Sequence, residues 1–168
     1  MIKNVVIGIV LVTGYSGEAQ TNDKVLSAEK IITLIPDKIK EFHPSGDPKS
    51  KVIKLGNLQY AMAEKNFSAN RKRSIKILLF DYKEATIMYN QATKKFNTFT
   101  PVESDSVILR SLTISDCTGW ESYNIHKKSS QILLGICNRF FLTIEGHGVE
   151  LDFLKKVVQD FKLETFPK

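Results

Sequence analysis

The chain has 168 residues, 42% of them hydrophobic and 25% charged, with no internal repeat or low-complexity tract, which excludes repeat and compositionally biased architectures and fits one domain. Its 24 Lys and Arg against 18 Asp and Glu leave a formal net charge of +6. That modest surplus serves solubility first, and as a partner signal it would favour anionic lipid, a polyanionic glycan or an acidic protein surface.

Lys3 precedes an uninterrupted run, Val5 to Thr13, followed by Gly14, Tyr15, Ser16, Gly17, Glu18 and Ala19. A charged start, an apolar centre and small residues at Gly17 and Ala19 make the pattern of a secretory signal peptide cut after Ala19. The apolar run is shorter than the roughly 20 residues that a bilayer span needs. No cysteine stands near its end, which argues against a lipid-anchored form. Residues 1–19 are therefore expected to be removed. Residues 20–168 are expected to form a single α+β domain without a membrane span, periplasmic or secreted, and monomeric.

Val25, Ala28, Ile31, Ile32 and Ile35 repeat at helical spacing over 24–35, and Pro36 can open a second short turn over 37–42. His43 to Ser50 carries turn residues and no period, so it reads as a loop. Leu58 to Phe67 and Ser74 to Tyr82 read as an antiparallel hairpin. Ile75, Ile77 and Leu79 point to one face of the second strand, and Leu78, Phe80 and Tyr82 to the other, so it is expected to be central and covered on both sides. Residues 83–96 switch to a helical stripe of Ala85, Met88, Ala92 and Phe96, and 97–106 form a linker with Pro101 in it. Strands follow over 107–115, 119–126, 131–137 and 140–145, with turns at 127–130 and 138–139. A last helix, 149–161, bears Leu151, Leu154, Val157, Val158 and Phe161. Strands in antiparallel runs define an α+β class, here a single antiparallel sheet of five or six strands with helices packed on it.

Cys117 and Cys137 are the only cysteines, and export would expose them to oxidising conditions. With a turn at 127–130, Cys137 faces Trp120 and Cys117 lies three residues away, roughly 10 Å at 3.3 Å per residue. A bridge needs Cα atoms within about 7 Å, so it would require a bend at Thr118-Gly119, and two buried free thiols fit the register better. No His or acid is placed beside either cysteine to activate it as a nucleophile. His43, His126 and His147 make no metal-ligand spacing; His147 sits between Gly146 and Gly148, where a strand-to-helix turn needs flexible backbone. Asp81 and Glu145 end strands, where local capping or pairing explains them best. No nucleophile elbow, phosphate-binding loop or dinucleotide fingerprint is present, so no catalytic residue, metal or cofactor is expected. Arg71-Lys72-Arg73 is the one tight basic cluster. It lies at an expected hairpin tip, and no aromatic stacking pattern accompanies it to suggest nucleic acid. Trp120 and Tyr123 point to opposite faces of one strand, as do Phe140 and Phe141 of the next. Trp120, Tyr123, Arg139 and Phe141 are the candidate ligand or partner surface, with burial beneath a helix as the other explanation of the aromatics.

From Thr118 onward, Gly119-Trp120-Glu121-Ser122-Tyr123, then Asn138-Arg139-Phe140, then Thr143-Ile144-Glu145-Gly146 and a final helix resemble small exported bacterial proteins of unassigned function. Leu34-Ile35-Pro36 and the strands at Tyr60 and Ile77 to Asp81 resemble their first half. The ending is also similar to the PsbP/Mog1-like topology. The resemblance implies no catalytic residue, and topology by itself establishes no function. The leading functional expectation is a non-catalytic domain that binds a protein partner in the cell envelope. The alternatives are a small-ligand module with a pocket between sheet and helix, and an immunity-type inhibitor of an envelope toxin.

Overall fold

Strand pairing takes up more of the chain than its apolar pattern predicts. The computed structural model describes residues 24–98 and 100–168, so the expected signal peptide and its cut after Ala19 lie outside the described residues. The strands are β1 His43–Pro44, β2 Lys49–Leu55, β3 Leu58–Asn70, β4 Arg73–Glu84, β5 Val102–Glu103, β6 Val107–Ile114, β7 Cys117–Asn124, β8 Ser129–Ile136 and β9 Phe140–His147. The helices are α1 Ala28–Thr33, α2 Thr86–Thr93 and α3 Leu151–Gln159. The strands make one antiparallel sheet in the order β1-β3-β4-β9-β8-β7-β6-β5, with β2 also paired to the outer edge of β3. Among the described residues no helix is long and apolar enough to cross a membrane.

This corrects the expected sheet of five or six strands packed with helices: strand holds 49% of the described residues, in nine strands, and helix, 3₁₀ turns included, 20%. The additional strands have physical reasons for escaping notice. β2 reads Lys-Ser-Lys-Val-Ile-Lys-Leu and is mostly exposed, because it is an edge strand whose lysines guard unpaired backbone. Its partner β3 dictates its conformation. β1 and the start of β2 occupy the expected loop at 43–50, and β5 lies inside the expected linker. The helices are shorter than their stripes. The expected turn of helix over 37–42 is instead a reversal closed by Phe42 N–H donating to Ile39 O, with Glu41 at φ 66°. β4 runs on to Glu84 before α2 starts.

Alternation then sorts the sheet into two faces. On one, Ile77, Ile144 and Ile132 sit in register across β4, β9 and β8, and Leu79, Leu142 and Leu134 form the next row, all fully buried. α1 contributes Ile31, and α3 contributes Leu154, Val157 and Val158, to the same core. The α3 stripe read from the sequence is therefore the buried one. Each such side chain contributes roughly 1.5–3 kcal/mol.

Three buried charges, Asp81, Arg139 and Lys65, are held in this core by several partners each. Asp81 meets Arg139 through Nε (2.8 Å) and Nη2 (2.7 Å), and accepts from Leu26 N–H at 2.8 Å and Lys83 N–H at 3.0 Å. Arg139 also reaches the carbonyls of Lys24 and Lys168, so one guanidinium joins the two ends of the described chain to β4. Lys65 donates to Ile35 O and to Asp37, both at 2.7 Å. That bond, followed by the attraction of the same ammonium, holds the Asp37 carboxyl below its ordinary range.

On the other face, α2 and the 3₁₀ turn Lys94–Asn97 cover one end only. Tyr89, Phe96, Phe80, Phe141, Tyr82 and Tyr60 pack there. A Cβ at Gly135 would fall 2.6 Å from Tyr89 Oη, so the glycine leaves room on β8 for the Tyr89 hydroxyl of α2. The expectation that helices cover both sides of β4 thus holds for one face and for half of the other.

Candidate functional site: the open half of the sheet

Beyond the reach of α2, the second face carries polar side chains in strand register. One row runs Asn66, Lys76, Glu145, Gln131, Ser122 and Leu109 across β3, β4, β9, β8, β7 and β6. The next row is Ser68, Ser74, His147, Ser129, Asn124 and Val107. At about 4.8 Å per strand, five spacings make each row roughly 24 Å long. A groove of about 560 Å³ follows them, lined by Lys76, Glu145, Gln131, Ser122 and His147, with Trp120, Leu109 and Val107 at the β6–β7 end.

The groove is polar without being basic. Gln131 Nε2 donates to Glu145 Oε1 at 3.2 Å. Lys76 Nζ stands 3.6 Å from Glu64 Oε2, and Asn66 donates to Glu64 Oε1 at 2.8 Å. The Asn66 bond, ahead of the opposing effect of burial, lowers the Glu64 carboxyl from its ordinary value, so Glu64 is an anion at neutral pH. Two carboxylates therefore face one ammonium here, despite the chain's net charge of +6.

The candidates named from sequence separate. Trp120 is half-buried and borders the groove with Tyr123, whose hydroxyl donates to Glu150 Oε1 at 3.0 Å at the start of α3. Burial first, and that bond second, push the Tyr123 phenol up. Arg139 is 2% exposed and engaged by Asp81, so it belongs to the core and not to a ligand surface. Phe141 is half-buried and stacked on Phe96 with centroids 6.2 Å apart, which is the burial explanation of its place. Arg110, on the opposite face, pairs with Glu103 at 2.9 Å.

Cys117 and Cys137 are free thiols, and the expectation that both are buried is corrected, because Cys137 is exposed. The expected register shifts as well. The β7–β8 turn is residues 125–128, and Thr118 pairs with Gly135, so Cys117 lies opposite Ile136 and one place from Cys137. Cys137 and Asn138, at φ 53° and 51°, are the two centres of a type I′ turn closed by Arg139 N–H donating to Ile136 O at 3.0 Å. Burial, then the neighbouring Cys137 and Asp116, push the Cys117 thiol up. His43 and His126 are exposed and outside the groove, while His147 lines it. Among the described residues no group of three or more His, Cys, Asp or Glu could hold a metal ion.

The two polar rows are the feature that sequence reading missed. Their signal was present as alternation: Ser74 and Lys76, Ser122 and Asn124, Ser129 and Gln131, Glu145 and His147 are polar at every second position of four strands. No protein-family model, curated protein or solved structure matches the chain. Roles for these residues therefore rest on their chemistry and geometry.

Proposed function

We propose that this chain is an exported, non-catalytic binding domain that takes a linear, polar, uncharged ligand, a glycan strand, across the open half of its sheet. The observation that carries the reading is the continuous cross-strand row Lys76, Glu145, Gln131 and Ser122, beside Trp120. Amide, carboxylate and hydroxyl groups in a line offer donors and acceptors at regular spacing, which suits a chain of hydroxyls. The near-balance of Lys76 against Glu64 and Glu145 favours an uncharged ligand body over a polyanion. The apolar start from Val5 to Thr13 supports export, and anchorage of the body by Lys24 and Leu26, just beyond the expected cut after Ala19, is compatible with it. Among the described residues the exposed large apolar side chains, Val52 and Leu55 of β2, Ile87, Val102 and Ile125, are spread over four segments, which lends the protein-partner expectation little support.

Trp120 is the chain's single tryptophan and lines the groove, so its fluorescence gives a readout there. Titration with neutral chito-, cello- and malto-oligosaccharides is expected to shift that emission saturably for at least one of them. Gln131→Ala should weaken the interaction by roughly 3- to 10-fold, the worth of about one hydrogen bond. A groove silent to every oligosaccharide but responsive to an extended polar peptide would overturn the glycan reading in favour of a protein partner.

A further inference from the structure

At the end of the groove three backbone segments meet and bring cations together. The β3–β4 turn holds Arg71 and Lys72, fastened by Lys72 N–H donating to Asn70 Oδ1 at 2.8 Å. The β7–β8 turn ends at Lys128, held at φ 48°. Gly148, just past β9, links the two: its N–H donates to Lys128 O at 2.7 Å, and a Cβ there would lie 2.3 Å from Lys72 O. Gly148 has φ +63° as well, so both conformation and closeness require glycine. The result is a shallow cavity of about 570 Å³ lined by Arg71, Lys72, Arg73, Lys128, Asn70 and Gly148, four cations with no carboxylate among them.

Five cations elsewhere in the fold, Lys65, Lys76, Arg110, Arg139 and Lys155, each have a carboxylate partner. At this corner only Arg73 does, with Glu41 at 3.7 Å, and its guanidinium also lies over the Phe42 ring. Among the described residues no ion pair engages Arg71, Lys72 or Lys128. Like charges gathered by a rigid backbone repel one another, and an anion placed between them relieves that repulsion. Arg73, Lys128 and Gly148 are also the chain neighbours of Ser74, Ser129 and His147, which line the end of the groove. The corner therefore adjoins the end of the groove along these strands.

We propose that this corner binds a sulfate or phosphate ester carried by the glycan whose uncharged body lies in the groove; the placement of that body rests on the function proposed above. An oxyanion ester accepts charge-assisted hydrogen bonds from guanidinium and ammonium groups, and Arg71 can offer it two parallel donors. Continuity with the groove, rather than charge alone, selects a glycan over a lipid surface.

The test uses a chito-oligosaccharide bearing 6-O-sulfate esters and the same oligosaccharide after desulfation. The sulfated form should bind at least roughly tenfold more tightly at about 0.1 M salt and lose that advantage near 1 M, where screening is nearly complete. Replacing the three unpaired cations together (Arg71→Gln, Lys72→Gln and Lys128→Gln) should abolish the preference and leave affinity for the desulfated form and the melting temperature unchanged, since all three are exposed. Replacing Lys49, Lys51 and Lys54 of β2 by Gln removes the same charge roughly 20 to 40 Å away along β3, and should leave the preference intact. Equal affinity for the two forms, an equal loss in the β2 variant, binding of neither, or binding only to phosphatidylglycerol vesicles would each overturn the proposal. A sulfated ligand that needs the corner, with the desulfated form leaving Trp120 emission unmoved, would sink the groove reading alone and keep the anion site.

Discussion

Ile132 and Gln131 are neighbours on β8, yet they belong to different parts of the molecule. Ile132 is fully buried between the sheet and its helical cover, in register with Ile144. Gln131 is half-buried on the open half of the other face, hydrogen-bonded to Glu145. The two faces differ because α1 and α3 pack along the first, whereas α2 reaches only one end of the second. A sheet with one face sealed can leave the other polar without losing its core, since antiparallel strands tolerate water on one side. The sealed face carries the core, and the open half carries the polar rows.

The sharpest way to break that comparison is to unpair the charge at the heart of the sealed face. Arg139→Ala leaves Asp81 buried with two backbone donors and no cation, and should cost about 3–5 kcal/mol in urea unfolding. The double variant Asp81→Leu with Arg139→Met should recover much of this, because a buried pair replaced by apolar groups of similar volume is often neutral. If Arg139→Ala were nearly silent, the junction of both chain ends with β4 would have no structural weight.

A second pair of variants tests the faces directly. Ile132→Ala should destabilise by about 2–5 kcal/mol through lost burial and the cavity left behind. Gln131→Ala, one residue away, should stay within about 0.5 kcal/mol, as expected of a surface change. Similar losses at both positions would mean that the open half is structurally engaged and unsuited to bind anything.

How much of this contrast was legible beforehand depends on the face. The sealed face was readable, because β4, β8, β9 and α3 carry apolar residues at the correct period, and Leu154, Val157 and Val158 are buried as their stripe predicts. Edge strand β2 was not readable, since Lys49, Lys51 and Lys54 resemble a loop until β3 supplies hydrogen bonds for them. Register was the other failure. Placing the turn at 127–130 instead of 125–128 moved Cys137 by four places against β7, and no local residue preference separates those turns. Arg139 misled for a related reason: an arginine in a turn reads as surface, and only the fold reveals that Asp81 lies beneath it.

Alkaline pH separates the covered half of the second face from the open half. Tyr82 packs on Phe80, with parallel rings 5.6 Å apart, and burial first, then the nearby Tyr60, push its phenol up to about 12. In the unfolded chain the same group ionises near pH 10. Between about pH 10 and 12 the unfolded state therefore loses a proton that the folded state keeps, and stability falls as pH rises, by about 1.4 kcal/mol per pH unit from this group. Tyr82→Phe should flatten the decline relative to the parent chain in unfolding titrations over that window. An unchanged slope would mean that α2 does not keep water from this end of the sheet.

The smallest expected effect concerns the thiols, which lie at the seam between the regions. Cys137 is exposed in its turn and Cys117 is buried beside it, with its thiol pushed up by that burial. A thiol-reactive reagent should therefore label Cys137 at once in the folded protein, and Cys117 only on unfolding, because the thiolate is the reacting species and burial suppresses it. Cys137→Ser should remove the fast reaction and change stability by no more than about 0.5 kcal/mol. Register places the two residues one position apart, close enough for a short bridge were the turn to deform, yet Cys137 holds φ 53° within a turn that also fixes Arg139 against Asp81. Closing a bridge would have to disturb that turn, and with it the ion pair. Protein isolated from an oxidising compartment should accordingly still show two titratable thiols in denaturant; their absence would mean that the turn yields more readily than the buried pair allows.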